Sequence, residues 1–218
     1  MHDFANVFLA VYAALFPIVN PLGLAPIYLG MTRDYPPPMR HMLARRIAVN
    51  GFLLLLGSLL IGSHILEFFD ISVAVVRVAG GLVVTSMGWQ LLRQGDDVKA
   101  RKRLETISET RAVQEAFYPL TMPLTVGPGS IAVAITLGSK RPPDAHDLAH
   151  LSLVAAAAIL GLAAIALTIF VCFRFAENLE SALGEALTNV FVRLSAFILL
   201  CIGIEILWSG YSALVAGG

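Results

Sequence analysis

Apolar residues in this chain come in blocks too long for a soluble core, and polar residues collect between them. Six blocks, each close to the roughly 20 residues a helix needs to cross the hydrocarbon core of a bilayer, fall at about 4 to 30, 47 to 66, 71 to 92, 116 to 138, 151 to 173 and 187 to 214. They predict six transmembrane helices and an all-α, polytopic membrane fold. Two stretches, 4 to 32 and 116 to 139, contain no Lys, Arg, Asp or Glu.

Those two stretches are interrupted alike. Phe16-Pro17-Ile18-Val19-Asn20-Pro21-Leu22-Gly23-Leu24-Ala25-Pro26 is answered 102 residues later by Tyr118-Pro119-Leu120-Thr121-Met122-Pro123-Leu124-Thr125-Val126-Gly127-Pro128, with three prolines in register. Proline removes a backbone donor and crowds the carbonyl four residues back, so helices one and four are expected to be broken. In hydrocarbon, non-helical backbone persists only where protein encloses it or a wet cavity adjoins it. Paired interruptions in matching positions of two halves point to a transporter's binding site.

Composition agrees with this pattern. The chain is 57% hydrophobic and 14% charged, with a mean hydropathy of +0.79, against about 25% charged residues in soluble domains. Net charge is zero and no basic stripe with interleaved aromatics occurs, which argues against nucleic-acid binding. Cys172 and Cys201 lie within apolar blocks, where a thiol acts as a small hydrophobe; no disulfide framework, metal site or cofactor is expected. The start Met1-His2-Asp3 lacks a basic n-region, so the first block should stay as a membrane helix.

Positive charge sets the expected orientation. Arg33, Arg40, Arg45 and Arg46 follow block one; Arg93, Lys99, Arg101, Lys102, Arg103 and Arg111 follow block three; Arg174 follows block five. The opposite connections and the termini hold only Lys140 and Arg141. Both termini are therefore expected on the non-cytoplasmic side of a bacterial inner membrane.

Three crossings per half invert the second copy relative to the first. The organisation expected is repeat one at 1–92, a charged cytoplasmic linker at 93–115 and repeat two at 116–218. Gly88-Trp89-Gln90-Leu91-Leu92 and Gly95 match Gly203-Ile204-Glu205-Ile206-Leu207 and Gly210 at an offset of 115, while Arg77 and Arg193 match at 116, so a small indel separates the two registers. Pro36-Pro37-Pro38 reads as a stiff turn. Gly80-Gly81 suits close helix packing within one chain or between chains of a homo-oligomer.

With Asn20-Pro21-Leu22-Gly23 in helix one, Arg77-Val78-Ala79-Gly80-Gly81 in helix three and Pro119 through Gly129 in helix four, the chain resembles the MarC family of six-helix integral membrane proteins over essentially its whole length. Where a glycine would answer Gly80 in helix six, this chain has Ser195-Ala196-Phe197. The resemblance implies similarity to transporters of small neutral amino acids: an ion-coupled carrier of glycine, alanine or serine, with a proton or sodium ion as partner.

Such a substrate presents a carboxylate, an ammonium and little side chain. Helix N-termini offer unpaired amides and a positive dipole end to the carboxylate, and glycine permits close backbone approach. After the breaks at Pro21 and Pro123, amides around Gly23, Gly127 and Gly129 are candidates to hold the carboxylate, while Asn20, Thr121 and Thr125 offer oxygens to the ammonium or a coupling cation. The plainer alternative is that these residues only set kinks and tight packing. Glu205 is the one carboxylate well inside a predicted span, and an ionisable residue there is a functional candidate by default. Arg77 lies at a depth that would allow an Arg77–Glu205 pair, for coupling or for structure. His64, Trp89 and Trp208 read as interfacial residues. No nucleophile–base pair stands out, so no enzyme is expected. The commitment is to a secondary carrier of small neutral amino acids; the alternatives are an exporter of another small solute and a non-transporting membrane module that packs with a partner. A wet, substrate-sized cavity lined by Asn20 and Gly127 favours the carrier, and apolar plugs at the breaks favour the module.

Overall fold

The computed structural model describes residues 2–32, 34–93, 114–139 and 148–216. Within them the chain is helical, with no strand. Helices run α1 (His2–Val19), α2 (Pro21–Met31), α3 (Pro37–Phe68), α4 (Val73–Arg93), α5 (Ala116–Thr125), α6 (Pro128–Gly138), α7 (Leu148–Arg174) and α8 (Ala176–Ala216). Four helices are individually long and apolar enough to span a membrane, and six spans result when α1–α2 and α5–α6 each count as one bent crossing. Most of the expected linker lies outside the described residues; its last residue, Glu115, accepts a hydrogen bond from the Tyr35 hydroxyl.

Both expected breaks are present, and they differ. The α1–α2 break occupies one residue and bends the axis by 40°. Asn20 adopts the left-handed conformation, φ 47 and ψ 54, which asparagine tolerates better than most residues. The Asn20 amide still bonds Phe16 O at 2.9 Å and Leu24 N bonds Asn20 O at 3.0 Å, so little of the backbone ladder is lost.

The second break is longer and bends by 69°. Tyr118 and Met122 are extended inside α5, as steric conflict with a following proline demands, and the Tyr118–Pro119 and Met122–Pro123 peptide bonds are cis. Threonine hydroxyls replace missing backbone donors: Thr121 Oγ1 donates to Ala116 O at 2.5 Å and Thr125 Oγ1 to Leu120 O at 2.7 Å. This is the internal satisfaction that a low-dielectric setting requires.

The proline register does not carry over to structure. α2 and α6 each have 11 residues and open on proline, Pro21 and Pro128. Asn20 and Gly127 thus occupy corresponding caps, whereas the 102-residue register would set Pro26, inside unbroken α2, beside Pro128. Extra residues in irregular α5 absorb the difference.

Other boundaries move outward. Pro36 caps α3 and Pro37 opens it, since proline suits the first helical turn, where its missing donor costs nothing. The prolines therefore start a helix of 32 residues, about 48 Å at 1.5 Å per residue, rather than forming a turn. α8 runs back to Ala176 through a bend at Gly184, φ 73.

Lipid is as apolar as leucine, so close packing rather than water exclusion holds such helices together. Leu15, Leu43, Ile47, Leu162, Ile165 and Ile169 are fully buried where α1, α3 and α7 meet, and Tyr12 bonds Thr168 across α1 and α7 at 3.1 Å. α4 and α8 cross antiparallel on glycines. A methyl on Gly88 would stand 2.6 Å from Leu200 N, one on Gly203 2.4 Å from Thr85 N, and one on Gly81 2.5 Å from Leu207 N. Gly80 faces Ala132 of α6, so the Gly80-Gly81 pair serves packing within the chain. Close approach also survives at Ser195-Ala196-Phe197: Ala196 is fully buried and its carbonyl lies 3.1 Å from the Gly88 methyl position.

Candidate functional site

The chain restarts at the second break. α6 begins with Pro128 at its first position and Gly127, extended at φ −100 and ψ 179, as cap. No side chain caps α6. Proline has no amide hydrogen, so the first-turn donors of α6 are the amides of Gly129 and Ser130, at the positive end of the helix dipole. The Ser130 hydroxyl turns back to Gly127 O at 2.9 Å.

A small cavity lies here, with ≈ 20 Å³ open to the centres of water molecules. That suits one or two waters and is far short of a substrate-sized space. Thr125, Gly127, Gly129 and Ser130 form its polar side; Ile18 of α1, Val84 and Met87 of α4, Leu124 of α5 and Leu199 of α8 close it. Its walls therefore come from both halves of the chain. Methyl groups test how tight it is. One on Gly129 would meet Val84 Cγ2 at 1.9 Å, while one on Gly127 would come no closer than 3.1 Å, to Pro123 O.

Of the residues singled out from sequence, Thr125, Gly127 and Gly129 share this cavity. Asn20, Pro21 and Gly23 do not line it. The Gly23 amide donates to the Asn20 side-chain oxygen at 3.2 Å, so the first break satisfies itself, and Gly23 packs against Ser195 of α8. Thr121 is buried next to Asn50 of α3, whose Nδ2 reaches Thr121 Oγ1 at 3.5 Å, and Pro123 is exposed.

The Arg77–Glu205 pair is not formed. Arg77 Nε approaches Thr136 Oγ1 of α6 at 3.4 Å, and its Cβ lies beside Gly210, more than a helical turn beyond Glu205. Glu205 is exposed on the outer face of α8. The antiparallel crossing sets Arg77 level with residue 210, a register that sequence depth alone does not fix.

Two polar residues near the break had escaped notice. Asn50 is an amide inside an otherwise apolar block, a signal the depth argument for Asn20 applies to equally. Ser130 directly follows Gly127-Pro128-Gly129. Among the described residues no group of three or more His, Cys, Asp or Glu could hold a metal ion.

At the arginine-rich end of the bundle the helices are clasped together. The Tyr28 hydroxyl donates to Arg40 O at 2.6 Å, its ring stacks on Phe173 at 4.5 Å, and Arg40 forms an ion pair with Glu177. These contacts join α2, α3, α7 and α8.

Known proteins resemble the chain along most of its length. The profile described as MarC family integral membrane protein matches residues 5–215. UPF0056 membrane protein YvbG of Bacillus subtilis is 30% identical over 92% of each chain. UPF0056 membrane protein YhcE of Escherichia coli is 29% identical over 97% of this chain and 94% of its own. UPF0056 inner membrane protein MarC of Salmonella typhimurium is 26% identical over 90% of both. No solved structure matches. A bundle of apolar helices with two bent crossings, matched from residue 5 to residue 215, thus belongs to the MarC family of integral membrane proteins.

Proposed function

We propose that the chain is a secondary carrier of small neutral amino acids, coupled to a cation, with the uncapped start of α6 as its carboxylate site. The observation that carries this reading is the start of α6, free of any side-chain cap, whose Gly129 and Ser130 line a cavity at a helix break walled by both halves. A carboxylate there would accept from unpaired donors without needing a buried cationic side chain. The Thr125 and Ser130 oxygens would accept from the ammonium or the cation. At ≈ 20 Å³ the cavity is too small for such a substrate, so its entry requires α4 and α8 to draw away from α1, α5 and α6.

The same reading takes the two halves as inverted repeats. Under the offset of 115, Gly88 corresponds to Gly203 and Thr85 to Leu200; the approach of Gly88 to Leu200 then answers that of Gly203 to Thr85. Likewise α6 rests on α4 as α2 rests on α8, and α5 on α3 as α1 on α7. Alternating access follows from exchange of conformations between such halves. The arginine-rich end is taken as cytoplasmic, with both termini opposite, and no catalytic step is assigned.

A second reading, a non-transporting membrane module, draws on the apolar lining from Ile18, Val84, Leu124 and Leu199 and on a cavity that is neither substrate-sized nor lined by Asn20, the outcome that on the sequence criterion counts against the carrier. Uptake of labelled glycine and alanine by purified protein in liposomes, under imposed proton or sodium gradients, separates the two. Gradient-driven uptake that Gly127→Leu abolishes in folded protein is the expected result. Folded wild-type protein that accumulates neither amino acid under either gradient would overturn the amino-acid carrier.

A further inference from the structure

Glu205 is exposed on the outer face of α8, among the exposed side chains of Phe197, Ile204 and Trp208. Among the described residues it takes part in no hydrogen bond or ion pair. An ionised carboxylate does not face hydrocarbon unpaired; intramembrane acids face a bundle interior, wet space or a partner. In a single copy Glu205 faces none of these.

Its depth follows from the α4–α8 crossing. The approaches of Gly88 to Leu200, Gly203 to Thr85, Gly81 to Leu207 and Gly210 to Val78 follow one register, which sets Glu205 level with residue 83 of α4 and Ser86 level with residue 202 of α8. Glu205 lies three residues, about 5 Å along the axis, from the level of Ser86. Gln90 of α4 lies four residues, about 6 Å, on the other side of that level and is also exposed. Helical side chains lean toward their own N-terminus, so in antiparallel helices both polar heads lean toward the level of Ser86. Gln90 does so visibly, its Nε2 reaching Ser86 Oγ at 3.3 Å.

We propose that the outer face of the α4–α8 pair is a two-fold interface between copies of this chain, with Glu205 of each copy accepting hydrogen bonds from Gln90 and Ser86 of the other. Rotation by half a turn about the membrane normal preserves depth and sets α8 of one copy before α4 of the second. An acceptor-only carboxylate then meets an amide and a hydroxyl that can donate. The bond forms twice, as an isologous interface requires. The complementarity of Glu205 to Ser86 and to the Gln90 head that reaches Ser86 on this chain's own α4 selects a second copy over an unlike partner. The proposal stands independently of transport.

Cross-linking in the membrane tests it directly. Ser86→Cys in a Cys172→Ser background leaves Cys201, exposed at the same depth, as its reaction partner. A short thiol-reactive linker should give a dimer-sized band that vanishes with Cys201→Ser. Leu160→Cys, exposed on α7, should give none in the same background. Subunit counting by photobleaching in liposomes should find pairs that persist in Glu205→Gln. In Gln90→Leu, which loses two interhelical hydrogen bonds per pair, the dissociation constant should rise about tenfold, and in Glu205→Leu, which loses four, about fiftyfold. The double variant should be no weaker than Glu205→Leu alone. Single copies at every protein density, pairs that cross-link through Leu160→Cys but not through Ser86→Cys, or unchanged dissociation in Glu205→Leu would each overturn the interface.

Discussion

Substituting alanine for Gly203 isolates the close crossing of α4 and α8. The added methyl would lie 2.4 Å from Thr85 N, 2.6 Å from Thr85 Oγ1 and 2.9 Å from Thr85 Cα. Two of these three atoms are backbone, so no rotamer change relieves the clash and the helices must part by about 1 Å to regain ordinary contact distance. A gap of that size forfeits a quarter to a half of each dispersion contact along the seam, and overpacking of a tight interior costs about 1–3 kcal/mol. For a chain of this length that lowers Tm by roughly 2–12 °C. Gly57, with nothing within 4 Å of its methyl position, is the internal control: alanine there should leave Tm unchanged or raise it, because helix propensity improves by about 1 kcal/mol. Thermal unfolding of purified protein in one mild detergent compares the two. Gly203→Ala as stable as wild type, or Gly57→Ala equally destabilised, would refute the tight-crossing argument.

Other substitutions probe the breaks and the clasp. Gly129→Ala should abolish uptake, since its methyl would collide with Val84 Cγ2, and Val84→Ala in the same chain should restore part of it. Asn20→Ala should lower unfolding stability by about 1–2 kcal/mol, through the lost cap to Gly23 and the left-handed backbone, with Asn20→Gly milder in the same thermal assay. Tyr28→Phe keeps the stack on Phe173 and removes the hydroxyl that bonds Arg40 O; a loss of about 1 kcal/mol is expected. A Tyr28→Phe protein with unchanged Tm would remove that bond from the clasp.

Membrane helices announce themselves by length and by absence of charge, so the six blocks and both interruptions were legible in the sequence. Proline also marks where a break may fall within a turn or two, because donor loss and steric conflict act locally. It does not mark which proline ends the helix. Pro26 stays inside α2 while Pro128 opens α6, a choice made by packing against α8 and α4. The second break was recognisable as a site candidate, since its threonines and glycines are adjacent in sequence. Partners such as Val84, Met87 and Leu199 arrive from distant helices and carry no local signature. The direction of Glu205 was hidden for a related reason: depth follows from counting residues along a helix, whereas azimuth depends on which face the neighbouring helix covers.

Both breaks restart the chain on a proline-opened helix of 11 residues, but the caps of those helices differ in chemistry, and that difference has a directional consequence. Asn20 holds the start of α2 with its own side chain; the start of α6 has no such tether. In a molecule whose halves trade conformations, the mirror-related states are then unequal in energy before any ligand arrives. A capping interaction of about 1 kcal/mol corresponds to a population ratio of roughly fivefold. The tethered half favours staying as it is, and the untethered half yields. Under the proposed carrier mechanism such a molecule would be a biased rocker with a built-in resting side, and occupation of the free α6 terminus would level the bias.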